Sequence, residues 1–265
     1  MLKRFKNVTL KLLVNTVGQT SNGLRLCTNH GFTSGKMLDY IYLNEPSGKY
    51  IIGKLIDRIF IRHAGWEAIR TRKTNLVNLL NKAIDLTLRE KEEVNILDVA
   101  AGPARYILDS LTGFDNRVSA VCRDIDERWL EEGQKNAFIS GLTNIKFEKG
   151  DALDTESFKS LNIKQDIIVS SGFYDWIVDD ELVKKSMQII YENLKPGGYF
   201  VFTNQSGHID LNMAQEVFSD FNGEPLRMTT RKAQLMNDWT KELGFTIIET
   251  RQDKAGYYSV TLARK

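Results

Sequence analysis

The chain has 265 residues, of which 42% are hydrophobic and 26% charged, and its formal net charge at neutral pH is +2. These values are typical of a globular protein and exclude a disordered chain. No run of about 18 apolar residues predicts a membrane-spanning helix. Two cysteines, Cys27 and Cys122, predict neither a disulfide framework nor a zinc site, so we expect a reducing, cytoplasmic setting.

The charge is unevenly distributed along the chain. Residues 1–93 carry 16 basic and 8 acidic side chains, a net charge of +8, whereas residues 94–265 carry 20 basic and 26 acidic ones, a net charge of −6. At about 150 residues per domain, the length allows one large domain or one domain with an appendage. We therefore expect a mainly helical N-terminal extension or lid over 1–93 and one catalytic domain over 94–265.

The N-terminal segment opens with a basic and interrupted apolar stretch, MLKRFKNVTLKLLVNTV. Its apolar spacing predicts a short amphipathic helix or strand pair that either covers the next domain or contacts a membrane surface. Residues 18–36 are rich in Gly, Ser, Thr and Asn and are expected to form a loop. From Leu38 to Lys91 the pattern is helical, and its basic residues form either a solvated surface or a binding surface for an anionic ligand or nucleic acid.

From Val94 onwards, short apolar runs alternate with helical patterns. The runs are VNILDV, RVSAVCR, NIKFE, DIIVS and GYFVFT, at residues 94–99, 117–123, 144–148, 166–170 and 198–203. Helices are predicted over residues 104–111, 127–140 and 180–194. This alternation predicts a parallel sheet with helices on both faces, which binds its ligand at the carboxyl ends of the strands.

Candidate binding residues follow the predicted strands. Gly102, in DVAAGPAR, permits a tight turn and the close approach of a ligand to the backbone. Asp124 ends the second strand and can accept both hydroxyls of a ribose, although Asp126 is a rival for that role or the cap of the next helix. Asp151, after the third strand, can accept a hydrogen bond from an adenine amino group.

Together these segments resemble the class I S-adenosylmethionine-dependent methyltransferases. DVAAGPA stands where that family has its Asp-x-Gly-x-Gly-x-Gly loop, and RDIDERWLEEGQKNA, GDA, SSGFYDW and LKPGGYFVFT are similar to its later motifs. The resemblance covers residues 94–265. It implies an α/β, Rossmann-like, seven-stranded, mostly parallel sheet with helices on both faces and an antiparallel C-terminal hairpin over 245–251 and 257–263.

A narrower resemblance extends upstream. MLDYIYLNEPSG, the IDR…GW…IRTRK stretch and SGFYDW are similar to a bacterial methyltransferase family whose members are often fused to α/β-hydrolases. No GxSxG motif is present, so a hydrolase would be a separate partner. Within the glycine loop, Ala100 and Ala104 replace two glycines of the pattern, and a methyl group at each is tolerable if φ stays negative there.

The resemblance implies S-adenosyl-L-methionine as the cofactor. Gly102 would contact its methionine part, Asp98 its amino group, and residues 171–173 would form the wall beside its methyl group. The expected cofactor-binding residues are Asp98, Ala100, Gly102, Asp124, Asp126, Asp151, Ala152, Ser171, Gly172 and Phe173. No metal site is expected.

The catalytic candidates are Tyr174, Asp175 and His208, of which Asp175 could instead brace its loop. The further candidates for contact with the acceptor are Tyr40, Tyr42 and Arg70. The segment after the fourth strand lacks the Asn/Asp-Pro-Pro-Tyr/Phe tetrapeptide of enzymes that methylate the exocyclic amines of bases, which disfavours that reaction.

The resemblance therefore implies methyl transfer to a small-molecule or lipid-like acceptor by in-line displacement. An RNA methyltransferase that uses the basic N-terminal segment is the first alternative. A relative that binds the cofactor without catalysis is the second. A dinucleotide-dependent oxidoreductase is disfavoured because the GxGxxG spacing is absent.

Overall fold

A computed structural model of the chain describes residues 2–161, 163–207, 211–220 and 222–265. The chain forms two compact units, one from residues 1–70 with 208–228 and the other from residues 71–207 with 229–265. The division at residue 70 differs from the predicted boundary at residue 93, and a later segment joins the N-terminal unit. We call them the N-terminal unit and the sheet unit.

Helices make up most of the N-terminal unit and flank the sheet of the other. In chain order they are α1 (Leu2–Asn15), α2 (Asn22–His30), α3 (Gly35–Leu43), α4 (Tyr50–Ile61), α5 (Ala64–Leu88), α6 (Arg105–Leu111), α7 (Glu127–Ile139), α8 (Thr155–Lys159), α9 (Asp180–Asn193), α10 (Leu211–Val217) and α11 (Ala233–Glu242). Short 3-10 turns cover Val17–Thr20 and Phe173–Asp175. Across the described parts of the chain, no helix is both long and apolar enough to cross a membrane.

Residues 18–36 contain a helix where a loop was expected. Ser21 caps α2, because its Oγ accepts a hydrogen bond from the Leu24 N–H at 3.1 Å. The Ser21 hydroxyl also donates to the buried carboxylate of Asp57 at 2.6 Å, and the Gly23 N–H donates to the same oxygen at 2.7 Å. The start of α2 is therefore fixed by a hydrogen bond between Ser21 and Asp57, which are 36 residues apart in the chain. Local composition does not reveal such a contact.

The sheet unit has seven strands in the order β3-β2-β1-β4-β5-β7-β6. The strands are β1 (Val94–Val99), β2 (Val118–Asp124), β3 (Ile145–Lys149), β4 (Gln165–Ser170), β5 (Leu194–Gln205), β6 (Thr246–Gln252) and β7 (Tyr258–Arg264). The first five are parallel, and β7 is antiparallel to both β5 and β6. The predicted fold class is confirmed, including the antiparallel C-terminal hairpin.

Apolar layers cover both faces of this sheet. On one face, Leu76 and Leu80 of α5 and Ile107 of α6 pack with alternate residues of the central strands. On the other face, Met187 of α9 and Trp239 of α11 do the same. All six residues of β4 are buried, as expected for a central parallel strand covered on both sides. The apolar core covers the two faces of the sheet, so a binding site is expected at the carboxyl ends of the strands and in the loops that follow them.

Candidate active site

Three neighbouring strands end at the same edge of the sheet. In the register of the sheet, Val99 of β1 lies beside Arg123 of β2 on one side and Ser170 of β4 on the other. The loops that follow these strands carry most of the predicted site residues. The sheet unit therefore brings the glycine loop, the acid at the end of β2 and the SSGFYDW segment to one edge.

The glycine loop after β1 alternates through left-handed backbone conformations. The φ angles are 52° at Ala100, 55° at Gly102 and 51° at Ala104. The condition for tolerating a methyl group at Ala100 and Ala104, a negative φ, is therefore not met at either position. The backbone keeps the left-handed turns of a glycine-rich loop although methyl groups stand at two of them, at a cost of roughly 1 kcal/mol each.

Replacing the alanine at a left-handed position by glycine should relieve this strain. We expect Ala100→Gly to raise the free energy of unfolding by up to about 1 kcal/mol, because glycine adopts a positive φ without a Cβ penalty. The matched control is Ala101→Gly, whose position has no positive φ and should lose about 0.5–1 kcal/mol. Urea unfolding followed by circular dichroism measures both, and equal losses in the two variants would contradict the strained loop.

Asp98 supplies a buried carboxylate below the glycine loop. Its Oδ1 accepts a hydrogen bond from the Tyr106 hydroxyl at 2.8 Å, whereas Oδ2 is buried without a hydrogen-bond partner among the described residues. Burial raises the pKa of Asp98 well above its ordinary value, and the nearby Asp124 carboxylate raises it further, against the lowering effect of the Tyr106 hydrogen bond. A buried acceptor left unsatisfied is costly, and such groups concentrate at functional sites.

Asp124 and Asp126, the two rivals for one role, have different environments. The Asp124 carboxylate accepts the Gly102 N–H at 2.8 Å and the Asp126 N–H at 2.9 Å, and burial raises its pKa. Asp126 caps α7 by accepting the Arg128 N–H at 3.0 Å, and a hydrogen bond with the Arg128 side chain lowers its pKa. Of the two acids, only Asp124 is hydrogen-bonded to the glycine loop among the described residues.

Asp151 and Ala152 follow β3. The exposed Asp151 carboxylate accepts the Leu153 N–H at 2.8 Å and so closes a turn. Ala152 is buried and packs in the same cluster as Leu97 and Val99 of β1. The pair therefore offers an exposed acid next to a small apolar surface.

The loop after β4 begins with a second left-handed glycine. Gly172 has a φ of 75°, and its N–H donates to Thr203 Oγ1 at 2.7 Å, which joins this loop to β5. Ser171 and Phe173 on either side are half-buried. These three residues are placed at the site edge with a fixed backbone.

Tyr174 lies in the core. Its side chain is fully buried, its ring packs edge-on against Phe202 with centroids 6.4 Å apart, and its hydroxyl is 3.5 Å from Ser186 Oγ. Burial raises the pKa of this hydroxyl. The catalytic assignment of Tyr174 is therefore corrected to a packing role, because a phenol enclosed on all sides does not reach a substrate.

Asp175 acts as a brace. Its Oδ1 accepts the Gln205 N–H at 2.7 Å, its Oδ2 lies 3.3 Å from Arg72 Nη1, and its carbonyl oxygen accepts the Thr229 N–H at 2.9 Å. These contacts tie the loop after β4 to α5, to the end of β5 and to the segment before α11. The structure supports the bracing role that the sequence left open for Asp175.

The buried Asp175 predicts a pH dependence of stability. Burial raises its pKa from 3.8 to about 6, with the Arg72 charge opposing the shift. The pKa of Asp175 is higher in the folded than in the unfolded chain. Its contribution to the free energy of unfolding is therefore fully present below about pH 4 and is lost as the pH rises to about 6. Across that window the stability of the wild type relative to Asp175→Asn should fall by about 3 kcal/mol. Urea unfolding of both proteins between pH 4 and pH 7 measures the difference, and a flat difference would contradict it.

The remaining candidates lie outside the described residues or belong to the N-terminal unit. His208 lies outside the described residues. In the N-terminal unit, the Tyr40 hydroxyl donates to Asp57, and burial together with this hydrogen bond raises the Tyr40 pKa to about 12. Arg70 donates to the carbonyl oxygens of Ile61 at 3.0 Å and Ile41 at 3.4 Å. Both side chains hold helices of that unit together.

Two buried residues at the site were not predicted. Arg231 donates to the carbonyl oxygens of Tyr174 at 2.9 Å and Ile177 at 2.6 Å, so it holds the SSGFYDW loop in shape. Gln205 is fully buried at the end of β5, and its Oε1 has no partner among the described residues. The position of Gln205 at a strand end was a usable signal, whereas nothing near Arg231 in the sequence indicated its role.

Comparisons with known proteins agree with this geometry. Residues 2–265 match the family described as "Putative methyltransferase". The uncharacterized protein YnbC of Escherichia coli K12 is 32% identical over 262 residues, which is 98% of this chain but 44% of that protein. The chain thus spans less than half the length of this relative.

Solved structures share the fold at low sequence identity. A possible exported protein from Bordetella parapertussis superposes with a TM-score of 0.67 at 20% identity, over 88% of this chain and 79% of the other. Magnesium protoporphyrin IX methyltransferase from Synechocystis PCC 6803, with bound S-adenosylhomocysteine, gives a TM-score of 0.58 at 12% identity, over 89% of this chain and 97% of the other. The fold is therefore the Rossmann-like methyltransferase fold. The chain belongs to the family described as "Putative methyltransferase", whose model it matches over residues 2–265.

Proposed function

We propose that the chain is an S-adenosylmethionine-dependent methyltransferase that transfers a methyl group to a small-molecule or lipid-like acceptor. One observation carries the proposal. The Asp124 carboxylate accepts a hydrogen bond from the Gly102 N–H, and nearby a buried oxygen of Asp98 has no hydrogen-bond partner among the described residues. Family membership and the fold neighbour that binds S-adenosylhomocysteine support it.

The loop has room for a ligand against its backbone. A Cβ placed on Gly102 would meet no heavy atom of the described structure within 4 Å. The Asp124 carboxylate would hold the ribose hydroxyls, and the free Asp98 Oδ2 would accept a hydrogen bond from the amino group of the methionine part. The donor set therefore fits the cofactor: two carboxylates, an open glycine and an exposed acid after β3.

When bound, the cofactor supplies a methyl group on a sulfonium, which is already electrophilic. The chain then has to hold the acceptor in line and exclude water, so most of the rate comes from proximity and orientation. In this proposal Ser171, Gly172 and Phe173 form the wall beside the methyl group. Asp175 and Arg231 keep that wall in place as positioning residues and do not contact the substrate.

The choice of acceptor is assigned to the N-terminal segment. We propose that residues 1–93, with a net charge of +8, act as a lid that selects an acceptor with an anionic group. The same charge is the observation that favours the second candidate, an RNA methyltransferase. A cytoplasmic location belongs to the proposal because both cysteines are free and buried. A hydrolase partner belongs to it as well, because the resemblance implies one.

Methyl transfer to fractionated cell material tests the acceptor class. The full chain is incubated with methyl-labelled S-adenosylmethionine and an extract separated into lipids, polar small molecules and RNA. We expect label in the lipid or small-molecule fraction. Label in RNA would favour the second candidate, and no label in any fraction from a protein that binds the cofactor would favour a relative without catalysis.

A further inference from the structure

Helix α4 presents aliphatic side chains to solvent. Ile51 is 88% exposed, Leu55 55% and Ile59 69%. Because they are four residues apart, these side chains lie one above another on the same face of the helix. We call these three residues the aliphatic row. A row of this kind in water is unusual for a helix of a soluble unit, which normally buries its apolar stripe.

The opposite face of α4 is fixed by polar contacts. The buried Asp57 carboxylate accepts hydrogen bonds from Ser21 Oγ at 2.6 Å, from the Gly23 N–H at 2.7 Å and from the Ser47 N–H at 2.9 Å. Gly53, one turn earlier, packs so closely that an added Cβ would lie 2.3 Å from the Thr20 carbonyl oxygen. The helix therefore cannot turn its aliphatic row inward without leaving a carboxylate unpaired.

A basic row runs beside the aliphatic row. Each of three basic residues, Lys54, Arg58 and Arg62, lies three positions after a residue of the aliphatic row, and Arg62 directly follows the last residue of the helix. All three basic side chains are exposed, and the single acidic residue of α4 is the buried Asp57. The exposed surface of α4 is thus aliphatic and cationic, without a negative charge of its own.

We propose that α4 binds the surface of an anionic lipid bilayer. The aliphatic row inserts among the headgroups and upper acyl chains, while Lys54, Arg58 and Arg62 contact lipid phosphates. The charge complementarity selects this occupant, since an uncharged protein surface would leave the basic row without partners. Helix α1 of the same unit also exposes apolar residues beside a lysine, with Val8 64% and Leu12 63% exposed. This inference does not depend on the proposed methyl transfer.

Vesicle co-sedimentation tests the proposal on the full chain. We expect binding to vesicles of phosphatidylcholine with about a quarter phosphatidylglycerol at low salt, and binding at least about tenfold weaker to phosphatidylcholine alone. Replacing the aliphatic row by Ile51→Asn, Leu55→Asn and Ile59→Asn should weaken binding to the anionic vesicles by at least about tenfold. Lys54→Glu with Arg58→Glu should do the same, and salt should weaken binding of the wild type.

The matched control removes exposed apolar surface elsewhere. Phe138 and Ile139, at the end of α7 in the sheet unit, are 85% and 70% exposed. Phe138→Asn with Ile139→Asn should leave vesicle binding unchanged. Absence of binding, equal binding to both vesicle types, or equal loss in this control would overturn the proposal. So would a wild-type dimer that the α4 variant converts to monomer, since that result assigns the face to a second copy of the chain.

Discussion

A Gly102→Val variant should fold and lose S-adenosylmethionine binding by at least about 100-fold, because its side chain would occupy the space in which the cofactor meets the loop. The open space beyond Gly102 means that the valine meets no described neighbour within 4 Å at its Cβ. The φ of 55° is unfavourable for a β-branched residue, so we also expect a loss of about 1–2 kcal/mol in stability. Calorimetric titration with S-adenosylhomocysteine and urea unfolding measure the two effects.

Gly141 provides the matched control for that variant. It has a φ of 69°, and a Cβ placed on it would also meet no described atom within 4 Å. It lies between α7 and β3, at the amino ends of the parallel strands and away from the glycine loop. Gly141→Val should therefore lose a similar amount of stability and keep full affinity. Equal affinity in the two variants would contradict the assignment of the glycine loop.

An Asp124→Ala variant should lose cofactor affinity by about 10- to 100-fold, because the two hydrogen bonds that the ribose hydroxyls would donate to its carboxylate are removed. Asp124 also accepts the Gly102 N–H, so part of the loss would come from a less ordered loop. Asp124→Asn keeps the size of the side chain and should lose less. Calorimetric titration with S-adenosylhomocysteine separates the three proteins.

Asp126→Ala is the natural counterpart, since it changes an acid two residues away. Asp126 caps α7 and pairs with Arg128 at 2.6 Å, so its removal should cost about 1 kcal/mol of stability. Cofactor affinity should stay at the wild-type value. If Asp126→Ala lost affinity and Asp124→Ala did not, the ribose assignment would pass to Asp126.

The sheet could be predicted closely because its signals are local. The run at Val94–Val99 coincides with β1, and the other strands start within a few residues of their predicted positions or contain them. The helix α2 was missed because a distant carboxylate, Asp57, completes its cap. Composition reports turn-forming residues and cannot report a partner 36 residues away.

The candidate site was predictable where it depends on strand ends. Asp98, Gly102 and Asp124 lie together because parallel strands end at one edge. The roles inside SSGFYDW were not predictable, since the burial of Tyr174 depends on how the loop folds back over α9. The sequence left the φ of the two loop alanines open, because the backbone conformation follows hydrogen bonds to Arg123 and Asp124 that residue types do not report.

Calorimetric titration of the wild-type chain measures directly whether it binds S-adenosylmethionine. S-adenosylmethionine and S-adenosylhomocysteine should each bind at one site of the chain, and NAD should not bind. Binding of NAD with neither sulfur compound, or no binding of any of the three to the folded protein, would contradict it.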